Sequence, residues 1–187
     1  MEFKSKSPKI YVLSGKAGNG KNKVASYIGS IYENVNKKTI NLSYASYLKE
    51  YAKNILGWDG NEKTKPREFL QQIGVELIKN NIDNRMLIKR IVEDIKVYSY
   101  FYDVITISDA RFPEEIEIIR ENFDNVIVIH IHGLENKNNL TDSERKHATE
   151  VSLDKYNNYD YEVDNSGTLD QLKEKVESII NEVQKND

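Results

Sequence analysis

Eight residues near the start of the chain, Gly15-Lys16-Ala17-Gly18-Asn19-Gly20-Lys21-Asn22, restrict the fold more than any other stretch. They spell G-x-x-x-x-G-K, followed by Asn where Ser or Thr is usual. The apolar run Ile10-Tyr11-Val12-Leu13 precedes them, and an amphipathic pattern, Val24, Ala25, Ile28, Ile31, Tyr32 and Val35, follows. Strand, glycine-rich turn and helix in that order predict a loop that binds phosphate.

The prediction has a physical basis. Gly15, Gly18 and Gly20 permit backbone conformations that a Cβ forbids, so consecutive N–H groups can converge on an anion. The helix that follows adds free N–H groups and a partial positive charge. Lys21 is expected to reach the β- and γ-phosphates of a nucleotide triphosphate. Lys16, Ala17 and Asn19 complete the loop. Asn22 stands where a hydroxyl would face Mg²⁺, and its amide oxygen is an acceptable donor to that ion, directly or through water.

Composition narrows the class. The 187 residues are 39% hydrophobic and 30% charged, with a net charge of −3. That balance argues against gripping a nucleic acid polymer, which usually needs a basic face. The absence of cysteine excludes disulfides, thiol catalysis and zinc–thiolate sites. The polar start, Met1 to Pro8, has no apolar h-region, and no run approaches membrane-spanning length, so a cytoplasmic protein without membrane contact is expected. A homodimer is left open.

Five strands are predicted, at Ile10–Ser14, Thr39–Leu42, Val104–Ser108, Val126–Ile131 and Tyr161–Asp164. The third and fourth are continuous apolar or β-branched runs, as in parallel strands buried on both faces. Between them lie helical stripes: Phe69, Leu70, Ile73, Leu77, Ile78; Leu87, Ile88, Ile91, Val92, Ile95; and Phe112, Ile116, Ile119, Phe123, with Pro113 in the first turn. A last stripe runs Leu169, Leu172, Val176, Ile179, Ile180, Val183, with Thr168 and Gln171 spaced as a capping box. Alternation of this kind predicts an α/β fold, a doubly wound five-stranded parallel sheet, with the loop at its carboxyl edge. Residues 44–99 hold about three helices, too much for one crossover, and are read as an insertion over the site. Residues 133–148, polar and aperiodic, are read as a lid.

Further candidates follow from position. Asp109 and Arg111 come directly after the third strand. Asp109 can hold Mg²⁺ or its waters, or cap a helix; Arg111 can grip a phosphate through two N–H groups, or lie on the surface. Lys49 and Arg67 begin two predicted helices, and residue type alone does not decide between an acceptor's phosphate and solvent. Gln71, one turn after Arg67, can hydrogen-bond a base edge. Arg145 in the lid segment is the candidate to meet the transferring group. Asn165 and Gly167 lie in the turn before the last helix, where the backbone can border adenine or simply make a turn.

Taken in order, Ser14 to Lys21, Tyr44 to Lys49, Arg67 to Gly74, Asp109 to Glu115, His147 to Glu150 and Asn165 to Thr168 resemble the deoxynucleoside monophosphate kinases of phages and bacteria, a branch of the P-loop nucleoside monophosphate kinases. The resemblance spans nearly the whole chain. Its most specific parts are Asp-x-Arg-Phe-Pro-x-Glu and Leu-Gln-x-Ile-Gly. It implies one P-loop kinase domain over residues 1–187, and transfer of the γ-phosphoryl of ATP, with Mg²⁺, to a (deoxy)nucleoside monophosphate. It further implies Lys49, Arg67 and Arg111 as phosphate contacts. In that family the position of Asn22 is often Asp rather than Ser or Thr. Two other readings share the loop: another small-molecule P-loop kinase, such as a dephospho-coenzyme A or phosphomevalonate kinase, and a nucleotide-binding protein without catalysis.

Overall fold

Five strands alternate with helices in the computed structural model, which describes residues 3–133 and 147–185. They are β1 (Lys9–Ser14), β2 (Thr39–Leu42), β3 (Val104–Ala110), β4 (Val126–His132) and β5 (Tyr161–Asp164). All pair in parallel, in the order β2-β3-β1-β4-β5. The doubly wound five-stranded sheet expected from the alternation is therefore the observed one.

Side-chain alternation along β1 divides the interior in two. Tyr11 and Leu13 face α1 (Lys21–Glu33) and the C-terminal helix (Leu169–Lys185). Ile10 and Val12 face the layer made by α2 (Tyr44–Leu56), α4 (Met86–Tyr98) and α5 (Pro113–Asn122). Both faces of the central strand are thus buried, which is why it reads as an unbroken apolar run. Burial of each such Leu or Ile contributes about 1.5–3 kcal/mol. The capping box at the last helix forms as its spacing requires: the Thr168 N–H donates to Gln171 Oε1 at 2.9 Å and the Gln171 N–H to Thr168 Oγ1 at 3.2 Å.

Three stripes need correction at single residues. α1 stops at Glu33, so Val35 is exposed, and Leu169 opens the C-terminal helix on its solvent side. The third case has a geometric cause. α3 (Arg67–Gln71) continues into a π-helical stretch, Gln72–Ile82, where hydrogen bonds run i→i+5. Residues five apart then share a face. Ile73 and Ile78 are buried together, and Leu77, which a 3.6-residue period puts inside, points out. Among the described residues no helix is long and apolar enough to cross a membrane.

The parallel strands bring their carboxyl ends to one edge. Ser14, at the end of β1, lies opposite Ala110 on β3 and His130 on β4. A register shift between Val12 and Ser14 carries the end of β3 up beside the loop that leaves β1. The insertion, α2 to α4, rises over the same edge.

Candidate active site

The loop after β1 owes its shape to what lies beneath it. Gly15 has φ +136°, and a Cβ there would fall 2.2 Å from the Ile131 carbonyl oxygen, so only glycine fits. Gly20 has φ +92°, and a Cβ there would meet the Asn165 side-chain amide at 2.5 Å. That amide is useful where it is: Asn165 Nδ2 donates to the Asn19 carbonyl at 3.0 Å. Asn19, fully buried, donates from Nδ2 to the Ile131 carbonyl at 3.0 Å. The loop is thereby fastened to the ends of β4 and β5.

Lys21 opens α1 and turns back over the loop, donating to the carbonyls of Gly15 at 2.6 Å and Lys16 at 2.8 Å. Burial above all, and then the Arg111 charge, bring its ammonium down to about 7; Glu150 and Asp109 act the other way. Phosphate oxygens in the loop would replace the two carbonyls as acceptors and favour the charged form. Asn22 is exposed on the first turn of α1. Lys16 extends outward to Asp154, 3.0 Å away.

Three buried or half-buried carboxylates organise the wall facing the loop. Asp109 accepts from Ser43 Oγ at 2.7 Å, the Tyr44 N–H at 2.9 Å and the Ala45 N–H at 2.9 Å. It caps α2, a helix 65 residues upstream, rather than the helix that follows it. Three of its roughly four acceptor positions are used, which leaves one for a water or an ion. Glu115 Oε2 accepts from the N–H groups of Arg111 at 2.6 Å and Phe112 at 3.0 Å and so fixes the turn between β3 and α5. Burial raises its carboxyl to about 8, with the Asp109 charge adding to the effect and those two N–H groups opposing it. Glu150 takes the third place. Its Oε1 accepts from Arg111 Nη1 at 2.7 Å and its Oε2 from the Ala17 N–H at 2.8 Å.

Between loop and insertion lies a cleft of about 580 Å³. Its lining brings together Ala17, Gly18, Gly20, Lys21 and Asn22 of the loop with Asp109, Arg111, Lys49, Arg67 and Gln71. These residues come from four separate segments, the loop, α2, the start of α3 and the end of β3, so the convergence is a product of the fold. Gly15 and Lys16 line a smaller neighbouring cavity of about 310 Å³, and Arg111 and Glu150 form part of both linings. Asn165 touches the loop; Gly167 sits two residues beyond, against Gln171. Arg145 lies outside the described residues.

Cations on the acceptor side differ in how committed they are. Lys49 reaches Glu62 at 3.4 Å, and Glu62 also pairs with Lys65 at 3.1 Å. Arg67 makes no ion pair among the described residues. Lys65, Glu150 and Glu115 were missed as single candidates. Lys65 sits between two stronger signals, and no spacing rule links Glu150 to Ala17, 133 residues earlier. The apolar part of the cleft, Leu48, Leu70, Val75, Leu87 and Phe112, surrounds Gln71. Lys79 lies over the Phe112 ring, 3.6 Å from its centroid, and pairs with Glu114 at 2.9 Å, which steadies that wall.

Comparison with known proteins adds a family and a fold. A family model described as deoxynucleotide monophosphate kinase matches residues 34–176. That span begins after the phosphate loop, so the match is independent of it. Among solved structures, an APS kinase of Mycobacterium tuberculosis in complex with AMPPNP and APS is similar at a TM-score of 0.59 and 12% identity, covering 94% of this chain and 98% of that one. A gluconokinase of Sinorhizobium meliloti 1021 is similar at a TM-score of 0.57 and 14% identity, covering 98% and 97%. A shikimate kinase of Acinetobacter baumannii bound to shikimate is similar at a TM-score of 0.53 and 14% identity, covering 96% and 94%. At those identities the likeness concerns the fold. No curated protein sequence matched.

Proposed function

The chain belongs to the deoxynucleotide monophosphate kinase family, and from that membership we propose that it transfers the γ-phosphoryl group of ATP to a (deoxy)nucleoside monophosphate. One observation carries the reading. A single cleft of about 580 Å³ has the phosphate loop on one wall and Lys65, Arg67 and Arg111 around Gln71 and an apolar recess on the other.

In this reading ATP lies on residues 15–22. Lys21 leaves the carbonyls of Gly15 and Lys16 for the β- and γ-phosphate oxygens. Arg111 and Arg67 hold the acceptor's phosphate, with Lys49 and Lys65 at the rim. The base enters the recess, where Gln71 reads one edge and Leu48, Val75 and Phe112 exclude water. An acceptor phosphate oxygen forms the new bond to the γ-phosphorus as its bond to the β–γ bridging oxygen breaks, and ADP leaves. No side chain is attacked; the protein supplies position and charge. Arg145 is assigned to the transferring group, and the main chain at Asn165 and Gly167 to the adenine. The reaction is assigned to the cytoplasm.

Mg²⁺ fits the residues present. In this reading the ion arrives on the nucleotide. Such an ion needs few protein oxygens beside phosphate and water, and Asn22 and the free position on Asp109 provide them. When bound, it neutralises charge on the phosphates.

The test is ADP release with ATP–Mg²⁺ against the common nucleoside and deoxynucleoside monophosphates, with dephospho-coenzyme A and phosphomevalonate as controls. Turnover of one or more nucleotides, lost in Lys21→Met, is expected. Turnover of a control alone, or ATP binding with no transfer to anything, would overturn the reading.

A further inference from the structure

A carboxylate in an anion-binding cleft needs a reason. Glu150 is 8% exposed and lies among groups that would bind phosphate. Left unpaired, a buried charge of this sign would repel the substrate and carry an uncompensated desolvation cost. It is not unpaired. Each oxygen has one partner, and the two partners belong to opposite sides of the reaction: Ala17 N–H at 2.8 Å on the donor loop, Arg111 Nη1 at 2.7 Å on the acceptor wall.

The segment that presents Glu150 is itself well fixed. A single helical turn, Ala148–Val151, is capped at its start by His147, whose Nδ1 meets Thr149 Oγ1 at 3.1 Å. Ser152 Oγ donates back to the Ala148 carbonyl at 2.6 Å. The Thr149 carbonyl lies 3.5 Å from the same Arg111 Nη1. Residues 149–150 thus hold one corner of the guanidinium. A guanidinium has five N–H donors in a rigid fork, so Nε and Nη2 stay available to a phosphate.

We infer that Glu150 is a positioning residue: it ties Arg111 to the phosphate loop, so that the cation for the acceptor's phosphate is held at a fixed place relative to the donor. The inference rests on the reading of Arg111 as an acceptor contact. It explains why two cations, Lys21 and Arg111, can face one cleft before any phosphate enters. It also explains why an arginine is used. A lysine gripped by a carboxylate has no second, directional set of donors to offer.

Glu150→Gln separates the two partners. The amide oxygen still accepts the Ala17 N–H, and the charge facing Arg111 is gone. Charge-assisted hydrogen bonds of this kind support an expected fall in kcat/KM for the nucleotide acceptor of about 10- to 100-fold. ATP affinity, measured by calorimetry without acceptor, is expected to change less than about threefold. In an Arg111→Ala background the same substitution should add nothing, because the residue it acts through is missing. Slow rotation of the Arg111 guanidinium, followed by ¹⁵N NMR of the arginine side chains, gives a readout that needs no turnover. It should become fast in Glu150→Gln and stay slow in wild type.

Three results overturn the inference: unchanged acceptor kcat/KM with unchanged guanidinium rotation, equal losses for ATP and acceptor, or a full Glu150→Gln loss that persists without Arg111. Wild-type kcat/KM in Arg111→Ala itself would instead remove the reading of Arg111, and the NMR result would still report whether the tether exists. Glu150→Asp keeps the charge one methylene short. It should fall between wild type and Gln in both rotation and rate, and a rate below that of Gln would contradict positioning by charge.

Discussion

In the proposed reading, the donor wall of the cleft is made of backbone, and the acceptor wall is made of side chains. Around Gly15–Lys21 the binding groups are N–H groups set by glycine conformation, by a close approach to Ile131 and by the buried amides of Asn19 and Asn165. Across the cleft the groups are long cationic side chains from several segments, with Lys49 and Lys65 partnered with Glu62 near solvent. The first kind of site is rigid and indifferent to what the phosphate is attached to. The second can change with a few substitutions and leave the scaffold intact. A fold used by kinases of several small molecules would divide its labour in this way.

Five substitutions can break or sharpen that contrast. The largest effect is expected from Lys21→Met, because its charge meets the donor phosphates where negative charge concentrates. kcat should fall about 10²- to 10³-fold for every acceptor alike, with thermal unfolding unchanged or raised. Acceptor-dependent losses would mean that Lys21 belongs to both walls. Next comes Gly15→Ala. The positive φ and the 2.2 Å approach to Ile131 predict a loss of about 3 kcal/mol in stability, read as a drop of about 10 °C in Tm by calorimetry. If the protein tolerates alanine there, the loop is not held as rigidly as described.

Arg67→Ala tests the other wall. Acceptor KM should rise about 10- to 100-fold and ATP KM should not move, because a phosphate bond to an arginine is lost on one side only. Lys49→Ala should cost less than about threefold, since its partner Glu62 is exposed and solvent screens the pair. Equal effects of the two substitutions would erase the distinction between committed and uncommitted cations.

The last substitution, Glu115→Gln, lies outside both walls' phosphate contacts, and its effect depends on pH. The folded-state value of Glu115, about 8, lies above the ordinary 4.5, chiefly through burial. Between those values the folded state binds more protons than the unfolded one. Its contribution is therefore full below pH 4.5 and is lost as pH rises through 8. Glutamine has no such titration. The Tm of the variant minus that of wild type should grow steadily between pH 5 and pH 8.5, by an amount on the order of a few kcal/mol in stability. A flat difference would show that Glu115 does not titrate in this range.

How much was legible in the sequence follows the same contrast. The phosphate loop is a local device, so its strand, its glycines and Lys21 could be read from about a dozen consecutive residues. The strands were readable because burial on both faces makes β1, β3 and β4 runs in which apolar and β-branched residues dominate. The acceptor wall is long-range. Arg111 and Arg67 were identifiable as residues, yet only the folded chain puts them in the lining of one cleft, 44 positions apart in sequence. Asp109 illustrates the difference well. Its position after a strand suggested a metal or cap role, and nothing local told that its cap would be on α2. Leu77 shows a second limit, because periodicity assumes 3.6 residues per turn and the stretch Gln72–Ile82 winds more loosely.

The hydrogen bond from Asn165 to the Asn19 carbonyl spans 146 residues. A chain made on the ribosome carries its phosphate motif well before the clasp for that motif exists. The motif is therefore synthesised 146 residues ahead of its own completion. ATP capture then reports that β5 has docked at the edge of the sheet, and a chain cut short after β4 would carry the whole motif and hold nucleotide poorly.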